Sequence, residues 1–347
     1  MARMQSRGRR AIVTGLAVVI AIGAAGCTSP EVMPVPTPTP TYTSDYVTPE
    51  PVVYAPLTGM PVDDPASIER PSLAAKIDNH WDARPQVGLE STDLVFEELV
   101  EGGLTRYMAV WHSHLPKEIG PIRSIRPMDP DIASPLGGII AYSGGQLRFV
   151  ALMQQTDVYN AIHGQPDTAD VMYRTSSKAA PHNVIVKARE LVAAHSDLAA
   201  PPQLFAFADS ADASTAAREG KAISGVDLVF GSSSQPSWRW KQGVWLRSQD
   251  GEPDLDSAGN RLSAVNVVVI RVPVSYGLGV PKTELIGSGE AKVLSGGRIV
   301  SATWSKASRT APIRLVDSTG AVIRLAPGNS WIELVPTSGS VSAIAAK

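Results

Sequence analysis

Cysteine is almost absent from this chain of 347 residues, since Cys27 is the only one. An intramolecular disulfide is therefore excluded, and any folded part must be stabilised by burying a core. Basic charge is not in excess, because 31 Lys and Arg stand against 33 Asp and Glu, which argues against a general nucleic-acid binder. No apolar run reaches the roughly 20 residues that a membrane-spanning helix needs.

Cys27 closes a segment that has the parts of a bacterial signal peptide. Four arginines stand near the start, an apolar run covers residues 11–25, and Ala24-Ala25-Gly26 directly precedes the thiol. The site resembles a lipobox, although Ala24 occupies a position where leucine is commoner. We therefore predict residues 1–27 as a lipoprotein signal peptide that ends at lipidated Cys27. Ordinary secretion and a retained short anchor helix are the alternatives.

Residues 28–56 are predicted to be a linker, because they contain eight prolines and six threonines. Such a segment favours extended polyproline geometry and would reach about 90 Å if fully extended. Cleavage before Cys27 would leave 27 basic against 33 acidic residues in the mature chain. The expected product is an exported protein whose acidic head is held by lipid at the extracytoplasmic face of the cell membrane.

The predicted fold class of the head is α+β, with a mixed α/β domain over residues 57–200. The apolar patterns predict strands over 73–77, 93–100, 105–112 and 139–142, and helices over 146–154 and 187–195. Residues 201–225 are rich in Ala, Ser and Asp and are predicted to be a connector with a short helix over 214–221. Glycine turns and short apolar runs predict a mostly-β domain over 226–347, as a small barrel or sandwich.

Four motifs follow one another in the first half of the head. They are Lys76-Ile-Asp-Asn79, Arg84-Pro-Gln-Val-Gly-Leu89, Glu97-Glu-Leu-Val-Glu-Gly-Gly-Leu-Thr-Arg106 and Ile119-Gly-Pro-Ile-Arg-Ser-Ile-Arg126. Their order and spacing resemble the YerB-like bacterial lipoproteins, a family of unknown function with an N-terminal and a C-terminal half. The resemblance extends over residues 57–340 and implies a cell-envelope lipoprotein with a two-part head. It implies no reaction and no cofactor.

These motifs bring carboxylates and arginines together in the sequence. Arginine pairs bidentately with carboxylates and phosphates, so one hypothesis is a polar cleft that recognises an anionic ligand. Gly120-Pro121 would form a tight turn that presents the last two arginines. The alternative is an internal network of ion pairs that braces loops. The candidate ligand-binding residues are Asp78, Glu98, Glu101, Arg106, Arg123 and Arg126.

Catalytic and metal-binding patterns are weaker. Glu97 and Glu101 are placed on one face of a single strand, about 13 Å apart, which is too far for a glycoside hydrolase pair. Glu98 with Asp78 stays open as such a pair. His112 and His114 have the spacing of two metal ligands on a strand, but no third ligand accompanies them, and no metal site is predicted. His182 is expected to be a buried, hydrogen-bonded histidine more than a catalytic base.

Five of the seven tryptophans, Trp238, Trp240, Trp245, Trp304 and Trp331, lie in the second half, where they suit core packing more than stacking on a ligand. The sequence favours a non-enzymatic binding or scaffold lipoprotein. Its expected partners are the membrane, through the lipid, and an envelope protein or cell-wall component. A cell-wall hydrolase that uses the carboxylates of residues 57–200 is the alternative. A solute-binding protein fits less well, since its two lobes should look alike.

Overall fold

Residues 47–48 and 51–346 are described by the computed structural model of the chain. The predicted signal peptide, lipidated Cys27 and most of the 28–56 linker lie outside the described residues. Among the helices of the described part, none is both long and apolar enough to cross a bilayer.

Short strands dominate the head, and the helices have at most eight residues. The first half has strands β1 Leu73–Asp78, β2 Leu94–Leu99, β3 Thr105–Trp111, β4 Glu118–Ile119, β5 Ile139–Tyr142, β6 Tyr159–Ile162, β7 Met172–Arg174 and β8 Val184–Lys187. Its α-helices are α1 Asp129–Ala133, α2 Leu147–Gln154 and α3 Ala188–Ala193. Single 3-10 turns cover Pro65–Ile68, Trp81–Ala83, Leu89–Ser91, Glu101–Gly103 and Pro166–Thr168. The strands and helices predicted for this half are confirmed.

The second half is almost entirely strands. They are β9 Ala206–Phe207, β10 Lys221–Val229, β11 Pro236–Lys241, β12 Val244–Gln249, β13 Glu252–Pro253, β14 Ser263–Ala264, β15 Asn266–Val272, β16 Val274–Ser275, β17 Lys282–Thr283, β18 Gly287–Ser295, β19 Arg298–Lys306, β20 Arg314–Val316, β21 Arg324–Leu325, β22 Ser330–Pro336 and β23 Ser340–Ala345. Helix α4, Thr215–Glu219, lies inside the predicted connector, and Ser214 caps it by accepting from the Ala217 amide.

Two hairpins follow directly from their turn residues. Gln242 and Gly243 both have positive φ, 53° and 84°, between β11 and β12. Gly296 and Gly297, at 57° and 73°, connect β18 and β19 in the same way. Two consecutive residues with positive φ match the right-handed twist of the flanking strands, which makes such two-residue turns favourable. The glycine turns predicted for the second half are thus confirmed at these two positions.

Strands from both halves share one mixed sheet in the described part of the chain, in the order β13-β12-β11-β10-β19-β18-β15-β22-β2-β3-β1-β5-β6. Strand β22 is parallel to β15 on one side and to β2 on the other. We predicted that these C-terminal strands form a separate barrel or sandwich. In the structure they instead belong to the same sheet as strands of the first half. Residues of β22 are buried throughout, as expected for a central strand covered on both faces. The division of the head into two domains stays a prediction.

Strand β2 separates two hydrophobic clusters, because its side chains alternate between the faces of the sheet. Val95 and Leu99 belong to one cluster, and Leu94 and Phe96 belong to the other. Glu97 lies between Val95 and Leu99 on their face of the strand, and Glu98 lies on the face of Leu94 and Phe96. Charged side chains therefore enter both layers of the core at the end of this strand.

Candidate functional site

The candidate site forms where several chain segments end beside strand β1. Asp78 is the last residue of β1, and Arg106 lies opposite it on β3. The segment 121–123 runs alongside, since the Asp78 amide donates to the Pro121 carbonyl and the Arg123 amide donates to the Lys76 carbonyl. The Ile122 amide in turn donates to the Val184 carbonyl at the start of β8. These bonds bring three distant motifs and the residues before β8 to one place.

Gly120 makes this approach possible. Its φ is +150°, and a Cβ at this position would lie 2.8 Å from the Val184 carbonyl oxygen. Only glycine avoids that collision without moving β8. The tight turn predicted at Gly120-Pro121 is not formed, because Gly120 bridges to Val87 and Ile122 bridges to Ile77 in an extended segment. That segment still brings Arg123 to the site, since it packs against the start of β8.

Asp78 is the centre of the site. Its carboxylate is almost fully buried and lies 2.6 Å from His182 Nδ1, 3.1 Å from Arg123 Nε and 3.1 Å from the His80 amide nitrogen. Since Nδ1 faces Asp78, the other ring nitrogen of His182 is the one left for a ligand. His182 is thus hydrogen-bonded, as the sequence indicated, and its side chain is 13% exposed.

Three arginines lie close together in this site, but only two have acidic partners. Arg123 faces Asp78, and Arg126 Nε lies 2.8 Å from Glu101 Oε2. Arg106 donates to the Ser124 carbonyl at 2.9 Å and makes no salt bridge with any described residue. Burial, followed by the charges of Arg126 and Arg123, lowers the pKa of Arg106 to about 10. The site therefore has more positive than negative charge around Arg106.

Glu101 lies at the rim of this arginine group. Burial opposes ionisation of its carboxyl, but the hydrogen bond from Arg126 and the nearby Arg106 lower its pKa overall. Strand β2 ends at Leu99, and Glu101 begins a 3-10 turn that includes Gly102 at φ 71°. The placement of Glu97 and Glu101 on a single strand was therefore wrong. The two consecutive glycines end the strand earlier than the apolar pattern suggested.

Glu98 lies beneath the arginines and is fully buried. It forms an ion pair with Lys76, whose Nζ also lies 2.7 Å from Asp129 Oδ1. Burial, followed by the charge of Asp129, raises the pKa of Glu98 to about 8. One lysine between two carboxyl groups leaves one of them to keep its proton at neutral pH. Glu98 then contributes little negative charge to balance Arg106.

Glu97 lies on the opposite face of the sheet and belongs to a second buried network. Arg247 of β12 donates to Glu97 at 2.6 Å and also pairs with Asp254. The Arg247 guanidinium is 4.9 Å from the ring centre of Trp331. Glu333 of β22 lies beside Glu97 in register, and burial, followed by the charge of Glu97, raises its pKa. This network connects the two halves of the head and is closed to solvent.

The tryptophans of the second half are part of this core. Trp238, Trp245, Trp304 and Trp331 are at most 1% exposed, as core packing requires. Trp238 donates from its indole nitrogen to Glu333 at 2.7 Å. Trp240 is partly buried and lies against Trp245. The large exposed aromatic near the site is Trp81, at 62% exposure.

His112 and His114 do not form the pair of metal ligands that their spacing allowed. His112 is buried, and its Nε2 lies 3.0 Å from the Ile68 carbonyl and 3.1 Å from the Arg70 carbonyl. The His112 ring is therefore hydrogen-bonded to backbone carbonyls, and it does not share a metal site with exposed His114. The residues that do converge are His80, Asp82 and His182, each with one ligand atom within 4.8 Å of the others. Asp78, His80 and Asp82 alternate along the chain at the end of a buried strand. This pattern of possible metal ligands could have identified His80 and Asp82 from the sequence.

Comparisons with known proteins agree over most of the head. Residues 57–200 match the N-terminal domain, and residues 226–332 the C-terminal domain, of the family described as "Protein of unknown function (DUF3048)". The "Putative lipoprotein YerB" of Bacillus subtilis (strain 168) is 24% identical over 299 residues, covering 81% of this chain and 86% of that protein. The crystal structure of YerB protein from Bacillus subtilis has a TM-score of 0.71 at 21% identity, covering 84% of this chain and 99% of that chain.

Proposed function

Because this chain belongs to the YerB-like DUF3048 family, with both family domains in order, we propose that it is a lipid-anchored binding protein of the cell envelope. The resemblance predicted from the four motifs is confirmed by these matches. The name of the Bacillus subtilis relative supports a lipoprotein. In this proposal Cys27 carries the lipid, residues 28–56 form the linker, and the head works at the extracytoplasmic face.

The proposed activity is binding of an anionic group, a phosphate or a carboxylate, by Arg106, Arg123 and Arg126. The observation that carries the proposal is the buried guanidinium of Arg106, which has one backbone acceptor and no carboxylate partner among the described residues. A buried charge without a partner is costly, and an incoming anion would supply that partner. Charge-assisted hydrogen bonds from arginine to such an oxygen are among the strongest in proteins.

The other predicted ligand-binding residues have different parts in this proposal. Asp78 holds Arg123 and His182 in place, and Glu101 holds Arg126 while leaving its own side chain 41% exposed. Glu98 is fully buried, and its raised pKa favours the neutral carboxylic acid. It therefore does not offset the positive charge of the arginines. The ion pairs of Asp78 with Arg123 and of Glu101 with Arg126 support the bracing role that the sequence also suggested, and in this proposal they orient those two arginines.

The hydrolase alternative finds less support in this geometry. Glycoside hydrolysis needs two carboxyl groups that face one bond, about 5 to 10 Å apart. Glu97 and Glu98 are fully buried on opposite faces of the sheet. Asp78 is almost fully buried and already contacts His182 and Arg123.

A thermal-shift titration with inorganic phosphate tests the proposal on the full-length chain in detergent. A ligand that binds only the folded state raises the melting temperature with concentration. We expect phosphate to stabilise the wild-type protein, and Arg106→Met and Arg123→Gln to weaken apparent affinity by about tenfold or more, the value of one charge-assisted hydrogen bond. The control is Arg239→Gln, which removes an exposed arginine paired with Asp227. Equal stabilisation of all four proteins, or of none, would contradict the proposal.

A further inference from the structure

His80, Asp82 and His182 form a compact set of metal-ligand side chains beside the arginines. Their ligand atoms lie within 4.8 Å of one another, and His80 Nδ1 is 3.5 Å from Asp82 Oδ2. In a tetrahedral zinc site with bonds of about 2.0 to 2.2 Å, neighbouring ligand atoms are roughly 3.3 to 3.6 Å apart. We infer that these three residues form a binding site for a divalent transition-metal ion of the Zn²⁺ type.

Asp78 provides an independent reason for this inference. Histidines that bind metals usually donate their second ring N–H to a carboxylate, which fixes the tautomer and the ring orientation. His182 Nδ1 lies 2.6 Å from Asp78 Oδ2, so Nε2 is left with a free lone pair. The same carboxylate accepts from the His80 backbone amide at 3.1 Å. The Asp78 carboxylate thus positions two of the three ligands. It contacts the imidazole ring of His182 and the backbone amide of His80.

The second histidine also presents a lone pair to the site. His80 Nδ1 accepts from the Asp82 amide at 3.2 Å, so this nitrogen is unprotonated and points toward the start of the 3-10 turn. A metal ion would take that lone pair and leave the Asp82 amide to water. The exchange costs little because this hydrogen bond is itself exposed to solvent. The two imidazole rings stack with their centres 4.5 Å apart and their planes at 20°, so a bound ion would require one ring to tilt toward the other.

The ligand set selects the class of ion. Two imidazoles and one carboxylate suit zinc and its neighbours, whereas calcium and magnesium prefer sites made of oxygen ligands. Three protein ligands leave a fourth position of a tetrahedral ion for water or another small ligand. The ion can enter from solvent, because the His80 and His182 side chains are 20% and 13% exposed. Of the cations near these residues, Arg123 has its charge balanced by Asp78, and Lys178 donates to the Arg84 carbonyl.

Metal titration of the full-length chain, without any anionic ligand, tests this inference separately from the proposed function. Calorimetry with Zn²⁺ is expected to show one ion per chain. Co²⁺ in its place is expected to give the visible absorption of a tetrahedral site. His80→Gln, Asp82→Asn and His182→Gln should each weaken Zn²⁺ affinity at least about tenfold, and Asp78→Asn by about 10- to 100-fold. The matched control, His114→Gln, removes an exposed histidine and should bind as the wild type does.

Melting curves without metal show whether each variant is folded. If Asp78→Asn is unfolded, the His80→Gln and Asp82→Asn variants, which change less buried side chains, still decide the outcome. Absence of stoichiometric Zn²⁺ binding by the folded wild type would overturn the inference. So would equal affinity in folded His80→Gln and Asp82→Asn, or loss of binding in His114→Gln. Failure of the phosphate titration leaves this result unaffected, since no anion is present.

Discussion

Asp78 Oδ2 lies 2.6 Å from His182 Nδ1, although 104 residues separate the two in the chain. The contact depends on backbone hydrogen bonds that place segment 121–123 between strand β1 and the start of β8. Arg123, in that same segment, reaches the carboxylate from another side. One buried carboxylate thus fixes an imidazole and a guanidinium, and the anion and metal proposals both depend on that arrangement.

Arg106→Met should leave the stability of the head unchanged or increase it. The wild-type guanidinium is buried without a carboxylate partner, and replacing such a charge by an apolar side chain is often neutral or stabilising by about 1 to 4 kcal/mol. Arg123→Met should instead lower the stability of the head, since it removes the cation that pairs with Asp78. Urea unfolding of both variants measures the difference. A strong destabilisation by Arg106→Met would show that this arginine braces the fold.

Glu98→Gln should flatten the dependence of stability on pH. The pKa of Glu98 is raised from 4.5 to about 8 in the folded protein, so the folded state keeps a proton that the unfolded chain releases. Its contribution to stability is therefore lost as pH rises from about 4.5 to about 8. The expected change in slope is at most about 1.4 kcal/mol per pH unit. Urea unfolding at several pH values measures it, with exposed Glu252→Gln as the control.

Arg247→Met should destabilise the head by about 3 to 5 kcal/mol, because it leaves the buried carboxylates of Glu97 and Asp254 without their cation. Arg239→Met is the matched control in a neighbouring strand. Its pair with Asp227 is exposed, and exposed pairs contribute about 0 to 1 kcal/mol. The free energy of unfolding in urea compares the two. Equal effects would argue against the buried network as a link between the halves.

Cys27→Ala should move the protein from the membrane fraction to the soluble fraction of cells. The thiol is the proposed attachment point of the lipid, and no other stretch of the sequence is long and apolar enough to replace it. Labelling with a radioactive or alkyne-tagged fatty acid should be lost in parallel. The melting temperature of the head should not change. Retained labelling in the variant would exclude Cys27 as the acylated residue.

Local features of the fold could be predicted from the sequence, since they depend on neighbouring residues. The hairpin of β2 and β3 follows two apolar runs around a glycine pair, and the β11–β12 hairpin follows from Gln242 and Gly243. The pairing of β22 with β2 was missed. It joins residues more than two hundred positions apart, and no local pattern records which strands become neighbours.

The arginines of the candidate site could be identified in the motifs, but their environment could not. Whether Glu97 and Glu98 face solvent or the core depends on what covers each face of β2, and both faces turned out to be covered. His80 and Asp82 were passed over because their third partner, His182, is remote in sequence. Alternating ligand types that directly follow a buried strand were the signal that could have selected them.

The position of β22 also determines when the fold can be completed. Ser330–Pro336 is among the last segments of the chain, yet it is the strand that joins β15 to β2 in the middle of the sheet. A chain that emerges N-terminus first, from a ribosome or a membrane channel, cannot close this sheet until residues 330–336 have appeared. A premature stop codon before Ser330 would therefore remove the strand that joins β15 to β2, however much of the sheet precedes it.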